Sequence, residues 1–397
     1  EQIAKAAPND AAKEQQAIAL INQGKLSEAE AVYRALVASG TNSHVCYSNL
    51  AAILGMQGKW NEIIDLLSKA LDFMPDCPEA HNSLGAARKE QGDLDAAIAS
   101  YSKSVEIRSN FSEAHNNLGA ALKEQGDIDA AIASYNRALE LNSAFPEAHN
   151  NLGAALQAQG NPGAAIASYN RALELKPDFP DARANLSHSL LIIGSYIQGW
   201  EKYEWRLQRE KASPPHAHPL CSMWIDGNLN ANDELLLVSE QGLGDTLQFM
   251  RYAITLRSKG VNVSLCAQPG LHSLIQASGI DPSPLTPQQA NAVAEGLWIP
   301  LLSVPRHLQV RPDNPIISAP YIKATDELTS KWQRILAGVK RPIIGINWQG
   351  NPGHEKSNSR GRSLPLEAFA PIARHTNASL LSLQKGFGSE QLEACSF

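Results

Sequence analysis

The turn Glu240-Gln241-Gly242-Leu243-Gly244-Asp245-Thr246 stands between a short apolar run, 235–239, and an amphipathic stretch, 246–258. A glycine-rich turn from strand to helix brings backbone N–H groups and a helix N-terminus onto an anion. The dinucleotide fingerprint is incomplete, because Leu247 replaces its third glycine and no acid lies near residue 264 to hold a ribose. Asp245 would repel a phosphate. A carboxylate at the tip of a sheet is better suited to taking a proton from a substrate hydroxyl. The same aspartate could equally cap its own helix, and the spacing leaves both roles open.

A second constellation begins at Asn347-Trp348-Gln349-Gly350-Asn351-Pro352-Gly353-His354 and runs to Arg360, Arg362 and Ser363. Lys356, Arg360 and Arg362 face a single acid, Glu355, between a strand and a helix that opens near Leu364. Arginines beside a helix N-terminus suit a diphosphate leaving group, where charge grows as the sugar–phosphate bond breaks. Gln384 and Lys385, at the tip of the next strand, belong to the same sheet edge. The alternative is a solvated basic loop.

Other chemistry is weaker. His216 and His218 lie between prolines with no third ligand nearby, so they read as loop and no metal site is expected. Cys46, Cys77, Cys221, Cys266 and Cys395 are far apart, which argues against a disulfide framework or zinc site and for a reducing, cytoplasmic compartment. The formal charge is −6, and residues 80–181 hold 13 acidic against 8 basic side chains. Nucleic acid and anionic membrane are therefore poor partners. Neither a secretory leader nor an apolar run of spanning length is visible, although the chain does not begin with methionine.

The elements that must position these residues alternate. Runs at 235–239, 261–266 and 297–299 read as strands, with helices at 246–258 and 271–278 between them. Strands separated by helices of this length imply a parallel sheet covered on both faces. A helix at 326–337, a strand from 343 to 348, a helix at 365–375 and a strand at 379–384 read as the opening of a second such lobe. The run 211–219 (KASPPHAHP) is a linker by composition.

Upstream lies one unit written three times, at 80–113, 114–147 and 148–181. Adjacent copies agree at 23 and 25 of 34 positions, and a period of this length with two helical patterns per copy specifies a helical-hairpin solenoid. Pro78, Pro146 and Pro180 open first helices, Gly92, Gly126 and Gly160 close them, and Asp93, Asp127 and Asn161 cap the second helices. Ile98, Tyr101 and Val105 make an apolar stripe, and Gly85/Gly119/Gly153 with Ala97/Ala131/Ala165 allow close approach. The Asp93/Asp95 and Asp127/Asp129 pairs are therefore helix caps and not a metal-binding sugar-nucleotide motif.

The pair Leu84-Gly85, with Gly92, Tyr101 and Pro177, resembles the tetratricopeptide repeat. The register extends to degenerate copies at 46–79 and 12–45 and to a capping repeat at 182–212. Asn49, Asn117, Asn151 and Asn185 precede the repeat leucine on the helix expected to line the concave face, with Ser83 interrupting them. Stacked asparagines can grip the backbone amides of an extended peptide, or they can bond only within and between repeats.

EQGLGDTLQFMRY, GINWQGNP, RSLPL and SLQKG together resemble the C-terminal region of bacterial tetratricopeptide proteins related to O-linked N-acetylglucosamine transferases and heptosyltransferase-like enzymes. The resemblance implies a repeat solenoid over 1–212, a linker at 213–224, a first Rossmann-like GT-B lobe at 225–337 and an incomplete second lobe at 338–397. It implies metal-free sugar transfer, without cofactor, from a nucleotide sugar to a protein or glycan acceptor. Asp245 would be the base, with Glu240, Gln241, Gly242, Gly244, Trp348, Gly350 and His354 in the loops about the acceptor. Arg360, Arg362, Ser363 and Lys385 would neutralise the donor diphosphate. The later strands that complete the donor pocket are absent, which implies either a fragment or a degenerate domain. The alternative function is a non-catalytic repeat scaffold for protein–protein interaction.

Overall fold

A helical hairpin of this repeat must reverse direction within three residues, and the chain does so at a left-handed glycine. Gly24, Gly58, Gly92, Gly126, Gly160 and Gly194 all have φ between 70° and 104°. The residue after each glycine donates its N–H five residues back, as Asp93 does to the Arg88 carbonyl at 3.0 Å and Lys25 to that of Leu20 at 2.9 Å. This is the Schellman closure, which satisfies carbonyls the helix end would otherwise leave bare. In this computed structural model, residues 8–210, 212–316, 320–349, 363–375 and 377–395 are described.

The hairpins are α1 (Pro8–Asn22) with α2 (Leu26–Ala38), α3 (His44–Met56) with α4 (Trp60–Phe73), and α5 (Pro78–Glu90) with α6 (Leu94–Ile107). They continue as α7 (Ser112–Gln125) with α8 (Ile128–Leu141), α9 (Pro146–Ala158) with α10 (Pro162–Leu175), and α11 (Pro180–Ile192) with the short α12 (Tyr196–Tyr203). Asp93, Asp127 and Asn161 accept the Ala96, Ala130 and Ala164 N–H groups at 3.1, 3.1 and 3.2 Å, which are the expected caps. A Cβ on Gly85, Gly119 or Gly153 would sit 2.7–2.8 Å from the ring of Tyr101, Tyr135 or Tyr169, so these glycines set the depth at which each hairpin closes. The buried stripe of α6 runs through Ala97, Ser100, Tyr101 and Ser104. Ile98 and Val105, expected on it, flank it half-buried, because the close approach at Gly85 favours the smaller residues.

Successive first helices pack side by side, α3 on α5, α5 on α7 and α7 on α9. The turn between hairpins is tied by His81, His115 and His149, whose Nε2 atoms meet the carbonyls of Pro75, Ser109 and Ser143 at 2.9–3.1 Å. The N-terminal part is thus a solenoid of helical hairpins.

The chain divides into two compact units between Ala182 and Arg183, so most of α11 and all of α12 group with the second. There, a four-stranded sheet contains β1 (Ser222–Met223), β2 (Glu234–Val238), β3 (Asn262–Cys266) and β4 (Leu297–Pro300), in the spatial order β1-β4-β2-β3 with every pair parallel. The stretch expected as a single helix at 246–258 is two, α13 (Leu243–Phe249) and α14 (Tyr252–Ser258). α15 (His272–Ala277), α16 (Pro287–Asn291) and α17 (Val304–His307) complete the cover, and Leu235, Leu237, Phe249, Met250, Leu265, Ile275, Ile299 and Val304 fill the core.

The sequence expected a linker through 213–224, yet Ala217, Cys221 and Trp224 are buried and β1 pairs with β4 there. His216 is tied to Ser239, its N–H to the carbonyl at 2.9 Å and its Nδ1 to Oγ at 2.8 Å. At the far edge of the sheet, Arg257 Nη2 donates to the Val263 carbonyl at 2.5 Å, and the Leu265 N–H donates to Asp281 Oδ2 at 2.7 Å. After α18 (Asp326–Ile335), β5 (Ile343–Ile346) and β6 (Ser379–Ser382) form a separate parallel pair, joined through a 3-10 turn and α19 (Ala370–His375).

Candidate functional site

Two sets of residues could carry function, one on the row of first helices and one at the carboxyl end of β2. On the row, Asn117 Nδ2 donates to Asn82 Oδ1 and Asn151 Nδ2 to Asn116 Oδ1, each at 3.0 Å. Asn82 and Asn116 are buried, while Asn117 and Asn151 are half-buried. Asn49 departs from this pattern and donates to the Tyr33 hydroxyl at 2.7 Å. Asn185 lies half-buried at the equivalent position of α11. The asparagines thus bond between repeats, yet each of these bonds uses only one N–H of a carboxamide that also offers a second N–H and a carbonyl.

The break expected at Ser83 has a visible cost. By the register that relates Asn117 to Asn82, residue 83 should meet Ser48, and the Ser48 Oγ is buried with no partner. The serine side chain is too short to cross the gap that an asparagine spans. Other ties between hairpins repeat faithfully, with Gln125 donating to Asp95 at 2.6 Å and Gln159 to Asp129 at 2.7 Å.

On the same helix face, two turns beyond Asn82 and Asn116, stand Lys89 and Lys123. Burial lowers the Lys123 ammonium, and the neighbouring charge of Lys89 lowers it further against the opposing effect of Glu124. The burial of Tyr101 and Tyr135 pushes both phenols well above their ordinary range.

At the carboxyl end of β2 the residues named from sequence separate. Glu240 is fully buried and belongs to the framework: Arg206 grips it twice, Nη2 to Oε1 at 2.7 Å and Nε to Oε2 at 3.1 Å. The Leu302 N–H, beyond β4, donates to the same Oε1 at 3.1 Å. Ser303 Oγ accepts from Arg206 Nη2 at 2.9 Å and donates to Glu204 Oε2 at 2.9 Å. This network fills the space between the ends of β2 and β4, and it locks the turn after α12 onto the sheet.

Gln241 is exposed with a left-handed φ of 59°, and Gly242 and Gly244 are exposed beside it. A Cβ on Gly244 would meet nothing within 4 Å, so packing does not require a glycine there. Asp245 is half-buried, and its Oδ2 accepts the Gly242 N–H at 3.1 Å, reaching back over the first turn of α13 as a cap does. Its second oxygen remains for another partner. Thr246, behind it, is buried and donates to Gln268 Oε1 at 2.9 Å.

Trp348 is not at a surface. It is 2% exposed and fills the core beside Ile346 and Leu366, with Nε1 donating to the Gly388 carbonyl at 3.0 Å. Gln384 Oε1 accepts the Trp348 and Gln349 N–H groups at 3.1 and 3.0 Å, clipping the ends of β5 and β6 together. The Leu364 N–H returns to the Trp348 carbonyl at 2.8 Å, and Lys385 is exposed on the same edge. Ser363 is half-buried at the loop's return; Gly350, His354, Arg360 and Arg362 lie outside the described residues.

Arg206 was not legible as a functional or structural anchor, because the stretch around it reads only as a frayed repeat. Its one signal is an arginine in the apolar texture of Trp205 and Leu207, 34 residues before a glutamate at the end of a strand. Among the described residues, no three His, Cys, Asp or Glu side chains gather as a metal site, and no helix is long and apolar enough to cross a membrane.

Family models match only the repeats: one described as TPR repeat covers residues 87–126 and 121–160, and one described as tetratricopeptide repeat covers 146–179. No curated protein matches the chain. Solved structures similar to it include MamA, at 25% identity and a TM-score of 0.37 over 41% of this chain and 95% of that one. TTC0263, a thermophilic TPR protein in Thermus thermophilus, is 20% identical with a TM-score of 0.39, covering 46% and 99%. YrrB, a TPR protein with an unusual peptide-binding site, is 20% identical with a TM-score of 0.36, covering 43% and 88%. With the glycine-closed, asparagine-tied hairpins, the family-model matches establish that the N-terminal part of the chain is built of tetratricopeptide repeats.

Proposed function

We propose that the row of first helices holds an extended peptide segment of a partner protein, making the chain an interaction scaffold. The observation that carries this reading is the inter-repeat pair of bonds, Asn117 to Asn82 and Asn151 to Asn116. These bonds hold each half-buried carboxamide at a fixed angle, with a donor and an acceptor to spare, at the spacing of the helices. An extended chain presents alternating N–H and C=O groups, which such carboxamides satisfy without reading side chains.

The test is fluorescence anisotropy with amidated Pro/Ala-rich peptides as probes. Asn117→Ala with Asn151→Ala should weaken binding about tenfold, the worth of one or two hydrogen bonds. Unchanged affinity would remove the asparagines from the groove.

A second reading, sugar transfer in a GT-B-like, Rossmann-like second unit, is supported by one feature. Asp245 keeps a free carboxylate oxygen at the carboxyl end of β2, the edge at which parallel sheets of this kind bind ligands. In this reading Asp245 takes the proton of an acceptor hydroxyl from the protein or glycan, and the exposed Lys385 faces the nucleotide-sugar diphosphate. Calorimetric titration with UDP- and ADP-sugars tests it. Asp245→Asn should abolish transfer and spare donor binding, and an absence of heat with every nucleotide sugar would end the reading.

A further inference from the structure

The row of first helices carries a charge pattern that its helix ties do not use. On α5 the residues Asn82, Ala86 and Lys89 fall at i, i+4 and i+7, and on α7 the equivalents are Asn116, Ala120 and Lys123. Each stripe therefore reads carboxamide, methyl, ammonium along one face. Lys89 and Lys123 are half-buried and, among the described residues, neither has an ion-pair or hydrogen-bond partner. The adjacent acids Glu90 and Glu124 are exposed and do not pair with them. Three other cations of the solenoid do pair closely, Arg108 with Glu79 at 2.6 Å, Lys176 with Glu147 at 3.0 Å, and Arg34 with Glu62 at 2.5 Å.

An ammonium partly withdrawn from water, as at Lys123, with the like charge of Lys89 beside it and no acid paired to either, is costly on a surface that binds nothing. In the chain's next repeat the position is Gln157, so the feature is confined to α5 and α7.

We infer that the groove selects a segment bearing two acidic side chains three residues apart, held in a polyproline II conformation across α5 and α7. The spacing follows from geometry. Packed helices lie about 8–10 Å apart, and a polyproline II chain returns to the same face every three residues, about 9 Å on. Acids at i and i+3 then face Lys89 and Lys123 in turn, while the backbone between them passes the asparagines. A β-strand would turn residues i and i+3 to opposite sides and could satisfy only one lysine. The inference rests on the groove reading above and adds to it the chemistry of the occupant.

The experiment uses the full chain and amidated, acetylated Pro/Ala-rich peptides, whose ends carry no charge, with Glu at i and i+3, Glu at i and i+2, or Gln at i and i+3. The i,i+3 Glu peptide should bind about tenfold tighter than its Gln counterpart, an advantage that shrinks as salt screens the charges. The i,i+2 peptide should fall between them. Lys89→Gln with Lys123→Gln should equalise all three while holding or raising the melting temperature, and Asn117→Ala should weaken all three alike. Equal binding of Glu and Gln peptides to the unaltered chain would overturn the inference and leave the groove standing. Binding of none would overturn both.

Discussion

Ser83 bears to Ser48 the relationship that Asn117 bears to Asn82 and Asn151 to Asn116, yet no bond forms there and the Ser48 Oγ is buried without a partner. Ser83→Asn should supply the missing carboxamide. We expect it to raise stability by about 1 kcal/mol, the net worth of a hydrogen bond that also relieves a buried polar atom. Thermal melts of the two proteins check this, and a lower melting temperature would show that the α3–α5 interval differs from that between α5 and α7.

The glycine beneath each repeat tyrosine makes the opposite prediction. Gly119→Ala would place a methyl group 2.8 Å from the Tyr135 ring, and should cost about 1–3 kcal/mol by overpacking. The second hairpin pairs Ala51 with Leu67 at the equivalent positions, both buried. Tyr135→Leu should therefore recover part of the loss in the double variant, as a double-mutant cycle followed by urea unfolding would reveal.

Arg206 and Glu240 form a buried, bidentate pair within the second unit. Arg206→Ala leaves the fully buried Glu240 carboxylate without its cation and should destabilise that unit by about 3–5 kcal/mol, and Glu240→Gln should cost less, because Arg206 keeps Glu204 at 3.2 Å. The readout is the denaturant midpoint of the transition assigned to the second unit. A change below about 1 kcal/mol would mean that water reaches the pair.

His188 lies 5.5 Å from the Tyr203 ring, and burial, with Arg209 and Arg206 adding to it, holds its imidazole below the ordinary histidine range. His307, tilted against Trp224 with ring centroids 4.0 Å apart, is lowered by burial and by Arg306. A histidine lowered on folding leaves stability untouched above its unfolded value and removes it as pH falls, because the unfolded chain binds the proton more tightly. The second unit should thus lose stability as pH drops from about 7 towards 5. His188→Asn should flatten that slope, and an unchanged slope in melts across this range would exclude His188 as its source.

The repeats were legible because each rule is local and recurs. A glycine where φ must be positive, an aspartate where a helix begins and an alanine where helices touch are each visible in a window of 34 residues. The strands β2, β3 and β4 were legible as apolar runs. β1 was not, because two exposed residues, Ser222 and Met223, carry no periodicity and pair only through tertiary contact. Trp348 was expected in the loops about the acceptor, and what buries it is distant in sequence: Leu366 packs on it and the Gly388 carbonyl, 40 residues away, takes its Nε1. Glu240 looked like part of a ligand loop for the same reason: its partner Arg206 belongs to another element. Asp245 sat where a base or a cap was expected, and the Gly242 N–H accounts for the cap.

The side chains of Arg257 and Asp281 occupy, respectively, a carbonyl and an amide on the outer margin of β3, and the opposite margin is the two-residue β1. A neighbouring polypeptide seeking to add a strand finds those groups already engaged on one side and too short a template on the other. This sheet thereby offers little open edge for edge-to-edge aggregation.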